Sequence, residues 1–480
     1  VGLTDGVRRR LRDTGAEVVE DPGPVGEASR DWWPLAMTWA LEGRLAGRAA
    51  AVVRPTHAGQ VADVLAVCHE ARVPVTAAGG RSGVCGASVP VFGGVVLDLC
   101  GLAGIRDVDD RSLVVDVAAG TFGDRLEDEL RREHGLTCGH WPQSMTLSTV
   151  GGWIACRGAG QLSTRYGKIE DIVVGLDVVL ADGRTLTTGG HPRQATGPDL
   201  TQLFVGSEGT LGVITAARLA AHPVPLHERR GAWAFRSFED GLDTCRRILR
   251  RGATPAVLRL YDGVESDRNY GTGTDRNVLL VLDEGDPAVV DGMWQVVEEE
   301  CGTAERLDVE LVERWMQHRN DVTALESLIR GGFVVDTMEV SGPWSALDAV
   351  YRSAVDAISG VEGTLAASAH CSHSYPDGAC LYFTFAGRPA ERGEDGLPTT
   401  AAKDAYYRAA WDAGTRAVLA AGGSLSHHHG VGLNRARYMA EALGGGLEVL
   451  AAVKRALDPV GILNPGKLGL ESPWGSPGLP

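Results

Sequence analysis

The residues of this 480-residue chain best suited to chemistry lie far apart in it. Three adjacent histidines, His427, His428 and His429, sit within Gly422-Gly-Ser-Leu-Ser-His-His-His-Gly-Val-Gly432. Imidazoles exchange protons near neutral pH, hold anions when protonated and bind metals when neutral. The run therefore reads as a proton-transfer site, an anionic head-group site, a solvated turn or an adventitious metal site. Tyr382 lies in Tyr375-Pro-Asp-Gly-Ala-Cys-Leu-Tyr-Phe383, an apolar stretch with strand character. A tyrosine in a strand is ordinarily core, but a phenol whose pKa is lowered by neighbouring cations can move a proton. His428 and His429 are candidates for supplying that charge. Arg259, in Ala256-Val-Leu-Arg-Leu-Tyr261, reads either as a buried ion-pair partner or as a substrate contact.

Three glycine-bearing loops could hold a larger ligand. The first, Thr76-Ala-Ala-Gly-Gly-Arg-Ser-Gly-Val-Cys-Gly86, runs directly off a predicted strand. Glycines there allow positive φ and close backbone approach, so several N–H groups can point at one anion, as in the cradle of a diphosphate. The second, Gly139 to Gly152, adds the hydroxyls of Ser144, Ser148 and Thr149, which can donate to phosphate or to a heteroaromatic edge, and Arg157-Gly-Ala-Gly160 follows it. The third is Gly206-Ser-Glu-Gly-Thr-Leu-Gly-Val-Ile-Thr215. Any one could be an ordinary turn; three within one stretch are hard to ascribe to chance. None is G-x-G-x-x-G opening a helix, so a Rossmann dinucleotide site is disfavoured.

The elements that must position these residues alternate strand and helix from Ala50 onward. Ala50–Val53, Val73–Ala77, Val95–Leu99, Ile105–Val108, Leu113–Ala118 and Val173–Leu180 read as strands, and His57–Ala71 and Phe122–His134 as helices. Beyond Pro225, longer helices (Phe238–Arg251, Pro287–Glu300, Pro343–Ser359) separate the strands Ala256–Tyr261, Val278–Leu282 and Cys380–Phe385, which predicts an antiparallel sheet with helices on one face. Residues 1–48 read as helical and polar, and Arg388–Thr400 as the most loop-like insertion. The length predicts two or three domains. A hydrophobic content of 44% with 22% charged residues is that of a globular protein, and a net charge of −16 argues against nucleic acid as a partner. Nine scattered cysteines without C-x-x-C suit reduced thiols. Val1–Arg12 has no apolar core behind its basic residues, and the last residues match no peroxisomal or prenyl signal, so the expected location is cytoplasmic.

The motifs Gly79-Gly-Arg-Ser-Gly83, Pro142-Gln-Ser followed by Ser148-Thr-Val-Gly-Gly152, and Gly206-Ser-Glu-Gly-Thr-Leu-Gly-Val-Ile-Thr215 resemble, in this order, the FAD domain shared by vanillyl-alcohol oxidases, glycolate and D-lactate dehydrogenases and alkylglycerone-phosphate synthase. The resemblance spans roughly residues 50–470. It implies an α+β fold: a PCMH-type (p-cresol methylhydroxylase-type) two-subdomain FAD-binding domain over 49–224 after an N-terminal helical segment, 1–48. A substrate-binding cap domain with an antiparallel sheet flanked by helices would cover 225–424. A C-terminal segment, 425–480, would return the histidine loop to the flavin site. Implied cofactor contacts are Ala77, Ala78, Gly79, Gly80, Arg81, Ser82 and Gly83; Gln143, Ser144, Ser148, Thr149, Gly151 and Gly152; Cys156, Arg157, Gly158 and Ala159; and Glu208, Gly209, Thr210, Leu211, Gly212, Val213 and Ile214. Some relatives attach flavin to a histidine just after the first loop; here Val84 and Cys85 stand there, which implies non-covalent FAD.

The histidine loop is similar to the synthase's, whereas 2-hydroxyacid dehydrogenases usually carry E-H-G-I-G. By the same resemblance Tyr382 is the active-site tyrosine, His140 an active-site histidine and Arg259 a structurally important arginine, beside His428 and His429. The implied reaction is redox-neutral: exchange of the acyl group of an acyl-dihydroxyacetone-phosphate-like substrate through an adduct at flavin N5. Departures from the synthase pattern are Leu325 where it has an arginine, with Arg319 and Arg330 on either side, and Leu433 where it has a lysine. The alternative is an FAD-dependent dehydrogenase or oxidase of a 2-hydroxy acid or related alcohol. In that case His370, His373 and His428 would occupy a metal site like that of some D-2-hydroxyacid dehydrogenases; no metal is expected. A flavin-binding scaffold without catalysis is the third reading. The expected partner is a small anionic substrate, with no nucleic acid, no transmembrane segment and room for a homodimer.

Overall fold

The computed structural model describes residues 1–320, 323–393 and 396–478, with side chains left aside at 323–326. Short runs of valine and alanine build the first sheet. Its strand order is Glu17–Val19, Ala51–Arg54, Val95–Asp98, Val75–Ala78, the last three parallel. The helix Ala58–Ala71 provides the crossover and buries Val61, Val64 and Leu65 against Val53, Val95 and Leu97. Strands covered on both faces read as continuous apolar runs, which is why this parallel core was visible in the sequence.

A second, antiparallel sheet has the order Ile105–Asp109, Val114–Ala118, Val213–Ala220, Val173–Val179, Thr185–Gly189. All three glycine-bearing loops converge where the two sheets meet, because each leaves or enters a strand or helix at that edge. The chain's end completes this half. Val75 and Leu463 form a parallel bridge, and Asn464 donates to the carbonyls of Ala87 and Glu208.

A third sheet has seven antiparallel strands, ordered Glu305–Leu307, His227–Phe235, Asn277–Gly285, Val257–Tyr261, Thr364–Tyr375, Gly378–Gly387, Val334–Pro343. Helices Phe238–Arg250, Pro287–Glu300, Leu347–Ser359 and Thr400–Ala420 pack into one apolar core with one face. The other face carries a cross-strand row, Tyr261, His370, Tyr382 and Glu339, set by the register. A bulge between Cys371 and His373 breaks the alternation, so His370, Ser372 and His373 all reach the same cavity.

Three expectations change. The segment 1–48 is not purely helical. Glu17–Val19 adds an antiparallel edge to the first sheet, too short to show a period, and Trp33 and Trp39 anchor into the cap core through Tyr407 and Asp404. The helix expected from Pro343 starts at Leu347, because Pro343 still pairs with Gly378 at the end of a strand. The strands Val334–Pro343 and Thr364–Tyr375 were not foreseen. Part of the Arg388–Thr400 reading, at 394 and 395, lies outside the described residues.

Candidate active site

A cavity of about 1000 Å³ lies between the glycine-bearing loops and the polar face of the seven-stranded sheet. Residues 77–83 of the first loop line it. Arg81 adopts φ +55°, its guanidinium turned to Asp98 at 3.3 Å, and among the described residues no backbone bond takes the N–H of Gly80, Arg81, Ser82 or Gly83. Successive unclaimed amides around a left-handed residue form an anion-binding concavity. The loop is packed so closely that a Cβ on Gly80 would lie 1.9 Å from the carbonyl oxygen of Leu147, and one on Gly79 2.2 Å from Oγ1 of Thr149.

From the second loop Gln143, Ser144, Ser148, Thr149, Gly151 and Gly152 line the cavity, with Cys156, Gly158 and Ala159 behind them. The hydroxyl of Ser148 is spent within the protein: it donates to the Ser144 carbonyl and accepts from Nε1 of Trp153. Glu208, Gly209, Gly212, Val213 and Ile214 line the cavity from the third loop. Three of the expected positions do not line the cavity. Arg157 pairs with Glu170 at 3.1 Å, away from the cavity. Thr210 is buried, its hydroxyl bonded to the Ser207 carbonyl, and Leu211 packs into the second sheet's core.

Glu208 has a task that its sequence position did not suggest. Its buried carboxylate accepts from the backbone N–H of Val431 at 2.6 Å and of Gly432 at 2.8 Å, which fastens the histidine loop to the third glycine loop. A second buried carboxylate, Glu339, accepts from the N–H of His428 at 3.1 Å, from that of His429, and from the Arg435 guanidinium at 2.9 Å. Glu339 and Arg435 are both fully buried, and Arg435 and the loop amides hold Glu339 below its ordinary pKa although burial opposes this. Two buried carboxylates thus clamp the loop that carries the triple histidine.

The structure brings together His140, Arg259, Tyr382, His428 and His429 on one cavity. Tyr382 stacks on His370 at 4.9 Å, lies 6.0 Å from the ring of His428 and 5.5 Å from that of His429, and its hydroxyl is 3.1 Å from Thr337 Oγ1. Its pKa moves upward rather than downward, since burial penalises the phenolate and the nearby imidazoles carry no charge. Burial brings His429 to about 4, partly countered by Glu339, whose Oε1 is 3.8 Å from Nδ1. His428 is likewise held well below its ordinary value by burial. His140 packs on Trp153 at 4.7 Å and is pushed by burial to about 3, and neither of its ring nitrogens has a partner among the described residues.

Arg259 is held by a fixed chain. Its Nη2 donates to Nε2 of His370 at 2.6 Å, and Nδ1–H of His370 donates to Glu265 at 2.6 Å. Burial would raise Glu265, but His370 and Arg268 bring it to about 2, while burial and Arg259 bring His370 to about 4; the pair is a neutral imidazole between an anion and a cation. Sequence reasoning missed Glu265, and it missed the cavity mouth. There the helices Gly263–Tyr270 and Glu310–His318 and the turn after the second contribute Arg268, Arg314, His318 and Arg319. Arg319 lies over the rings of Trp141 and Trp315 and pairs with no carboxylate among the described residues. Arg330 does not line the cavity, and the side chain of Leu325 lies outside the described residues.

Residues 224–468 match the family model of FAD linked oxidases, C-terminal domain, and residues 49–189 match that of an FAD binding domain. The chain is 31% identical over 440 residues to an uncharacterised FAD-linked oxidoreductase, YgcU, of Escherichia coli K12, covering 87% of this chain and 88% of that one. It is 30% identical over 405 residues to the alkyldihydroxyacetonephosphate synthase of Caenorhabditis elegans, covering 77% and 66%. It is 27% identical over 484 residues to glycolate oxidase subunit GlcD of Bacillus subtilis, covering 95% and 97%. A solved alkyldihydroxyacetonephosphate synthase superposes with a TM-score of 0.77 at 22% identity over 96% of this chain and 86% of that one. A solved p-cresol methylhydroxylase does so with 0.73 at 17% over 98% of each.

Proposed function

The chain belongs to the FAD-linked oxidases, with FAD as its cofactor, and on that premise we propose that it exchanges the acyl group of an acyl-dihydroxyacetone-phosphate-like substrate without net oxidation. The fit to the cofactor rests on the unclaimed amides of residues 80–83 and on the two orphaned ring nitrogens of His140. The loop 77–83 would hold the diphosphate, and residues 143–152, 156, 158, 159 and 212–214 the ring system, non-covalently. When bound, FAD supplies an electrophilic N5 that accepts either carbon or hydride.

One observation carries the reading. A neutral tyrosine and an unprotonated imidazole face one cavity whose mouth is lined by cations, in a protein of net charge −16. Arg319 and Arg259 would take the substrate's phosphate, the first as a guanidinium stacked between indoles, the second already oriented by His370. Burial keeps Tyr382 protonated, so in this reading its hydroxyl donates a hydrogen bond to the oxygen of the departing carboxylate. His429 is the proton acceptor at the substrate's C1, because Glu339 beside its Nδ1 stabilises the imidazolium that forms. Trp315, Val335 and Leu147 give the cavity apolar walls for the alkyl chain.

The similarity to a glycolate oxidase subunit supports a second reading, removal of hydride from a 2-hydroxy acid whose carboxylate the same arginines would hold. Product analysis separates the two. Incubated with an acyl-dihydroxyacetone phosphate and a long-chain alcohol without electron acceptor, the holoenzyme should release free carboxylate and ether product in equal amounts by mass spectrometry. Absence of ether product, together with oxidation of D-2-hydroxy acids when a dye is supplied, would replace the first reading by the second.

A further inference from the structure

One group of metal-ligating side chains among the described residues is compact enough to hold an ion. One ring nitrogen from each of His373, His427 and His428 lies within 4.8 Å of the other two. His373 comes from the strand Thr364–Tyr375, immediately after its bulge, and the other two from the loop clamped by Glu339. This is not the set His370, His373 and His428 considered from the sequence. Both nitrogens of His370 are committed, to Arg259 and Glu265, so that set does not form.

Hydrogen bonds outside the cluster can hold the tautomers that a metal needs. Ser163 Oγ is 2.7 Å from Nδ1 of His373, and the Tyr375 hydroxyl is 3.1 Å from Nε2 of His427. The two hydroxyls are 3.1 Å apart. If Tyr375 donates to Ser163, each still accepts from its imidazole, which leaves Nε2 of His373 and Nδ1 of His427 unprotonated. Partners of this kind orient metal-bound histidines generally. Nδ1 of His428 is 2.9 Å from Nδ1 of His427, close to the roughly 3.3 Å between ligands of a tetrahedral ion with bonds of about 2.0–2.1 Å.

Lys168 holds the His427 carbonyl at 2.6 Å and is matched by Glu170 at 3.1 Å. A set of three imidazoles without a carboxylate suits zinc-class ions and not the oxygen-seeking magnesium or calcium. His373 and His428 line the cavity, so a fourth coordination position would open onto it. We propose that His373, His427 and His428 bind one zinc-class divalent cation, whose open position takes an anionic oxygen of the substrate.

The test uses untagged holoenzyme, chelator-treated and titrated with Zn²⁺. The expected result is saturation at one ion per chain, with an X-ray absorption spectrum showing imidazole nitrogens at about 2.0–2.1 Å. H373Q and H427Q should each weaken Zn²⁺ binding at least about 100-fold with the flavin absorbance intact. No saturable binding, a first shell without imidazole, or unchanged affinity in both variants would overturn the proposal. Should the variants fail to fold, the wild-type stoichiometry and spectrum decide it alone.

Discussion

Burial decides which protons are available at the residues facing this cavity. Tyr382 could move a proton if neighbouring cations lowered its pKa, yet it is surrounded by neutral imidazoles and shifts upward. It acts as a hydrogen-bond donor or it does not act at all. Y382F should keep its flavin and lose on the order of 10²–10⁴-fold in turnover, measured by single-turnover kinetics; a near-normal rate would remove the tyrosine from the mechanism. Arg319 sits at the mouth over two indoles, with no carboxylate partner among the described residues. Losing a charge-assisted contact worth roughly 1.5–3 kcal/mol, R319A should raise KM for the anionic substrate by about 10–100-fold with little change in kcat. Equal KM values would place the anion elsewhere.

At the scale of elements, the histidine loop has no regular structure of its own and takes its shape from two carboxylates. E339Q leaves Arg435, fully buried, without its counter-charge. It should cost about 3–5 kcal/mol in urea unfolding, where a loss below 1 kcal/mol would show that the loop needs no clamp. G80A should give protein that does not retain FAD, since the added carbon meets the Leu147 carbonyl at 1.9 Å. Those glycine-bearing loops were legible because turn chemistry is local and valine-rich strands flank them. The strand Thr364–Tyr375 was not legible. Its Ala, Ser and His residues show no alternation, and its bulge, which brings His373 round to the cavity, depends on a partner strand. For the same reason the row Tyr261, His370, Tyr382 and Glu339 is a fact of register that no single stretch of sequence carries. Arg319 was named only through the position of a missing arginine. Its place at the mouth follows from how the cap's helices pack.

For the whole molecule, the cost of assembling so many buried titratable groups should appear on acidification. His140, His370 and His429 titrate at about 3, 4 and 4 in the folded chain against about 6.5 unfolded. Folded values below unfolded ones mean that the stability they lend is complete above pH 6.5 and is lost as pH falls. Asp31 and Asp336, raised by burial to about 7 and about 6, work in the opposite direction and offset two protons of the three. Between pH 6 and 4 the unfolding free energy should fall by about 1 kcal/mol per pH unit, from one net proton; a flat profile from denaturant unfolding would contradict these buried neutral histidines. The account as a whole holds that the glycine loops and the cap's polar face enclose one FAD that works without net electron transfer. Anaerobic flavin absorbance tests this most directly. With acyl-dihydroxyacetone phosphate and alcohol the enzyme should turn over many times and return to the oxidised spectrum once substrate is exhausted, with no acceptor present. Stoichiometric bleaching that persists until oxygen or a dye is admitted would contradict it.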